Sequence, residues 1–145
     1  MKNIVLLFSM FAITFCFGQN ESQIDSRLLV NKEIGAKAME YYSTNPEQYN
    51  FLLFELENAY FIRSMADVTE SQQAKLLSIA EIYSTSGEKF NVAILNNPAT
   101  FNFHLYNFQR SETETIGYNL GNGNVLVFYS IEKLREMYYQ KSLNK

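Results

Sequence analysis

Cysteine is almost missing from this chain: of 145 residues only Cys16 is one, and it lies in an apolar leader. With no second thiol there is no intrachain disulfide, so the fold relies on packing even in a compartment that permits disulfides. Histidine is equally scarce. His104 alone cannot supply the roughly three or four imidazole and thiolate ligands that a zinc site takes. Calcium would need an Asp-rich loop, whereas Asp25 and Asp67 are isolated. Tryptophan is absent, which removes the usual stacking platform of a sugar site, and no His/Met axial pair is present for haem. The expectation is therefore no metal and no cofactor.

Positive charge is also in short supply. Twelve Lys and Arg face fifteen Asp and Glu, for a formal net charge of −3. No stretch gathers the basic residues into a stripe, so nucleic acid and anionic membrane surfaces are disfavoured as partners. Phosphate-loop and dinucleotide fingerprints are missing. Gly121-Asn122-Gly123 leads into an apolar, strand-like run instead of a helix, and reads as a hairpin turn. No Gly-x-Ser-x-Gly elbow marks a nucleophile.

What is present begins with the leader. Lys2 precedes an apolar run over residues 4–17, and Cys16-Phe17-Gly18 places small residues where a signal peptidase reads. The run is shorter than the roughly 20 residues that span a bilayer. The leader resembles an ordinary bacterial secretory signal, which implies cleavage after Gly18 and a periplasmic or secreted protein. Residues 19–145 then form a single domain, and losing Lys2 takes its formal charge from −3 to −4. Lipidation of Cys16 is the rival reading, but Phe15 stands where a small residue normally precedes a lipidated cysteine. The Asn20-Glu21-Ser22 sequon is read as chance beside such a leader.

Apolar spacing predicts a first helix over 22–43, with Leu28, Ile34, Ala38 and Tyr41 between charged residues and Gly35 inside it. Asn45-Pro46-Glu47-Gln48 has the chemistry of a helix start, and the helix after it is apolar on more than one side. Residues 59–63 are β-prone. Thr69-Glu70-Ser71-Gln72 is a capping-box pattern opening a third helix over 70–84. Beyond Gly87 the chain changes to short β-rich runs at 90–95, 101–109, 115–120 and 125–129, with the hairpin turn at Gly121 to Asn124. Ser130 caps a closing helix. The expected fold is α+β: three N-terminal helices, an antiparallel meander of about four strands, and one C-terminal helix.

Ten Tyr and twelve Phe are the most unusual part of the inventory, and most must fill the core. Strand alternation over 101–106 would put Phe101, Phe103 and Leu105 on one face and Asn102, His104 and Tyr106 on the other. With Tyr118 or Tyr129 as cross-strand neighbours, the second face would mix aromatic area with hydrogen-bonding groups, as recognition surfaces do. Glu55 with Glu57, and Glu112 with Glu114, are spaced two apart and read as solvated charge. The sequence thus predicts an exported, non-enzymatic binding, accessory or inhibitor protein acting on an envelope partner or small ligand through Asn102, His104, Tyr106, Tyr118 and Tyr129. The alternative is a small hydrolase or isomerase with His104 as general base.

Overall fold

The computed structural model describes residues 40–41 and 44–144. Helix α1 (Pro46–Asn58) begins where the sequence places it, since proline at the first helical position has the right φ and lacks only an N–H that would be unbonded anyway. Asn45 contributes differently from expectation: its side-chain amide donates to the Tyr41 carbonyl at 2.8 Å instead of capping α1. The helix expected over 22–43 lies almost wholly outside the described residues.

Four strands form one sheet among the described residues: β1 (Tyr60–Ser64), β2 (Leu77–Ser78), β3 (Ile116–Asn119) and β4 (Asn124–Phe128), in the order β1-β4-β3-β2. The chain closes on α3 (Ile131–Leu143), where the Ser130 hydroxyl accepts the Lys133 N–H as a cap should. The class is α+β with a four-stranded sheet and a C-terminal helix.

The sheet is not a meander. β4 pairs antiparallel with both β1 (Tyr60↔Phe128) and β3 (Asn119↔Val125), but β2 joins β3 in parallel (Leu77↔Tyr118). The segment between β1 and β2 crosses one face of the sheet, packing Met65, Val68 and Leu76 against Val125 and Val127. It includes α2 (Glu70–Gln73), which forms the expected Thr69/Gln72 capping box yet stops after about one turn. The helix predicted over 70–84 is corrected here. Pairing of Leu77 with Tyr118 and packing of Leu76 outweigh the propensity of an exposed, isolated helix, which is marginal at this length.

The strands predicted over 90–95 and 101–109 are corrected too, being 3₁₀ turns at Val92–Asn96, Pro98–Thr100 and Phe103–Leu105. Asparagine is the cause. Asn91 Oδ1 accepts the Ala93 N–H and Asn102 Oδ1 the His104 N–H, each at 3.0 Å, so the side chains bend the backbone that alternation alone would extend. The hairpin holds, with Leu120 N–H donating to the Asn124 carbonyl at 3.0 Å. Positive φ falls on Gly121 and Gly123 and not on Asn122, so the loop is wider than a two-residue type I′ turn.

One face of the sheet and the turns of 90–108 enclose an aromatic core. Phe101 and Phe128 are fully buried, with Phe103 and Tyr118 nearly so, and α1 and α3 close one side through Leu56 and Leu134. Phe51 and Phe54 of α1 meet Tyr138 of α3 edge-on at 5.4 and 5.3 Å, a geometry the ring quadrupoles favour.

Candidate functional site

The five residues expected to share a recognition face do not share one. The 3₁₀ turn after Asn102 breaks strand alternation, so Phe101, Asn102 and Phe103 are all buried in succession. Tyr118 is 1% exposed, its hydroxyl accepting the Gln109 N–H at 2.7 Å, and burial pushes its phenol pKa up. Tyr129 packs on Phe61 with ring centroids 5.0 Å apart. Of the five, His104 is exposed, Tyr106 and Tyr129 are half-buried, and Asn102 and Tyr118 are buried.

Tyr106 is half-buried and braced by an edge-on contact with Phe90 at 5.1 Å. Burial raises its pKa, and the Glu88 carboxylate adds to the rise. The next residue, Asn107, ties two segments together: its Oδ1 accepts the Tyr83 N–H at 2.7 Å and its amide donates to the Glu81 carbonyl. A cleft of about 380 Å³ opens there, lined by Leu77, Ser78, Glu81, Ile82, Asn107, Gln109 and Tyr118. That size lies within the ~300–1,000 Å³ of small-ligand pockets.

His104 belongs to a charged cluster that the sequence did not foreshadow. Glu55 of α1 stands with Oε1 3.5 Å from Arg110 Nη2 and Oε2 3.9 Å from His104 Nε2. The Arg110 guanidinium lies over the rings of Phe103 and Phe128, 5.1 and 5.6 Å from their centroids. Reading Glu55 as solvated charge is therefore corrected: its side chain is only 13% exposed, because a cation from the far end of the aromatic segment reaches it. Nothing local marks that pairing. Burial raises the Glu55 pKa, opposed by the Arg110 charge and hydrogen bond and more weakly by Arg135.

Burial, helped by the Arg110 charge, lowers His104 to about 4, so the imidazole is neutral at neutral pH. Glu55 does little to reverse this, since its charge is already matched by Arg110 and 3.9 Å is too long for a hydrogen bond. A base this weak is poorly matched to proton abstraction near pH 7. Among the described residues no hydroxyl is hydrogen-bonded to the ring, and no group of three or more His, Cys, Asp or Glu is placed to hold a metal ion.

Because the chain has one histidine, its imidazole proton resonance reports this site without assignment. The expected midpoint is about 4, against 6.5 for an unperturbed ring. The sign for stability follows from proton uptake. Below pH 6.5 the unfolded chain binds a proton that the folded one refuses until about 4, so His104 contributes full stability above 6.5 and loses it as pH falls across that window. Solvent screening at its 42% exposed side chain reduces the size of the effect. Glu55, with its raised pKa, works the other way just above its ordinary 4.5. His104→Gln should therefore weaken the acid-side loss measured by urea unfolding, and Glu55→Gln should deepen it.

No helix among the described residues is long and apolar enough to cross a membrane. Comparison with protein-family models, curated proteins and solved structures finds no match to this chain.

Proposed function

We propose that this chain is an exported, non-enzymatic binding or accessory protein that engages an envelope partner or small ligand through the surface around Tyr106 and the adjoining cleft. The observation that carries the reading is the setting of His104: its ring stands beside a carboxylate already committed to Arg110, and among the described residues no hydroxyl is hydrogen-bonded to it. Such a group orients and accepts hydrogen bonds but does not take up protons at neutral pH. Tyr106 adds what a recognition surface uses, a ring held rigid by Phe90 so that little side-chain entropy is lost on contact. The hydrolase or isomerase reading rests on the approach of Glu55 to His104, and a titration midpoint of 6.5 or above would favour it.

Export is tested by mass. Protein recovered from the cell envelope should begin at Gln19, and retention of residues 1–17, or a lipid-sized increment on Cys16, would overturn the cleaved-signal reading. Binding is tested by pull-down from envelope extract followed by affinity comparison of two variants. Tyr106→Ala should weaken capture about tenfold, as loss of a rigid aromatic anchor does, while Glu112→Ala changes it little. Glu112 is an exposed carboxylate paired with Arg135, and such pairs contribute little. Equal affinities would remove this surface as the binding site.

A further inference from the structure

The face of the sheet opposite the aromatic core carries a second, smaller recess. Leu76, Gly117, Val125 and Val127 form its apolar walls, and Arg63, Gln72, Lys75 and Thr115 complete its lining. Gly117 is what lets Leu76 lie there: a Cβ on residue 117 would come within 2.5 Å of Leu76 Cδ2. The recess has a volume of about 150 Å³, comparable to an apolar cavity that admits one benzene.

Its polar lining is unbalanced. Among the described residues no Asp or Glu lines it. The Arg63 guanidinium donates from Nη2 to the neutral Gln72 Oε1 at 3.3 Å, and its Nε is buried with no hydrogen-bond partner. Among the described residues neither Arg63 nor Lys75 meets a carboxylate. Two cations that meet no carboxylate among the described residues, beside a short apolar slot, match one ligand chemistry, a carboxylate on a compact aliphatic tail. The guanidinium suits a carboxylate because its planar fork can present two parallel N–H donors, and Lys75 would supply a point charge.

We propose that this recess binds an aliphatic monocarboxylate of about five to six carbons, with its tail against Leu76 and Gly117, over the buried Val125 and Val127, and its carboxylate held by Arg63 and Lys75. The site is separate from the cleft beside Tyr106 and does not depend on the function proposed for it. The same chemistry ends a peptide whose last residue is leucine, so the source is either a free branched acid or a chain terminus.

The test is amide NMR of the ¹⁵N-labelled protein titrated with 4-methylpentanoate, following Gly117, Val125 and Val127. Saturable shifts at these residues are expected, and 4-methylpentanamide, of the same shape without the charge, should bind about tenfold more weakly. Lys75→Gln, at an exposed position, should weaken the acid several-fold with the spectrum otherwise intact, and Arg63→Gln should weaken it about tenfold or more. Gly-Gly-Leu with a free carboxylate separates the sources: tighter binding than 4-methylpentanoate identifies a chain terminus, weaker binding a free acid. Equal affinity for acid and amide, unchanged affinity in both variants, or no saturable shift by about 20 mM would overturn the proposal.

Discussion

Phe101→Ala is expected to lower the free energy of unfolding by about 4 kcal/mol, the upper part of the range for deleting a buried aromatic. The ring is fully buried and touches Tyr60 at 5.2 Å, Phe90 at 5.8 Å, Tyr106 at 6.0 Å and Phe108 at 6.3 Å between centroids. These neighbours come from β1 and from two separate stretches of the turn-rich segment, so no single element can shift to fill the space. The cavity term then adds to the lost transfer energy. Phe101→Leu keeps most of the volume and should cost about 1.5 kcal/mol. Urea midpoints for the two variants check the ordering. A cost for alanine near that for leucine would mean that the segment collapses freely and that the core is not organised around this ring.

Arg110→Leu should be the next most damaging change, at about 3 kcal/mol, because it strands the Glu55 carboxylate in a site only 13% exposed to solvent. The guanidinium also loses its seat over Phe103 and Phe128, although leucine restores part of that apolar contact. A second substitution makes the cause visible. Removing both charges with Arg110→Leu and Glu55→Leu should recover much of the loss, since a buried ion pair is often no better than well-packed apolar residues while half a pair is far worse. Chemical denaturation of the two single variants and the double variant completes the cycle. If the double variant loses the sum of the two single losses, Glu55 and Arg110 act independently and their proximity carries no energy.

These charged residues also mark the limit of what the sequence made legible. Elements whose signals are local were readable: Pro46 starts α1, Ser130 caps α3, and the glycines at 121 and 123 turn β3 into β4. Export is an expectation on residues outside those described, and so, but for residues 40–41, is the helix over 22–43. The capping box at Thr69 was also readable, but the length of the helix behind it was not, because Leu77 finds Tyr118 some forty residues onward. Alternation over 101–106 misled for a definite reason. The pattern of apolar and polar residues is that of a strand, while the turn chemistry of Asn102 is that of a bend, and the bend prevailed. The candidate site failed in the same way, since Asn102 and Tyr118 are buried and Glu55 was read from its neighbours alone. Its partner Arg110 lies at the end of an unrelated segment, and sequence spacing holds no information about such a meeting.

The pairing order β1-β4-β3-β2 has a consequence for how the chain reaches this state. The β3–β4 hairpin joins sequence neighbours and can close within microseconds, whereas β1 must find β4 across the whole turn-rich segment. Loop-closure entropy therefore places β1 docking late, with the hairpin serving as its template. The aromatic residues between them lie inside that closing loop, so their burial is expected to accompany the joining of Tyr60 to Phe128. Substitutions in the hairpin would then slow folding, while those at β1 would mainly hasten unfolding.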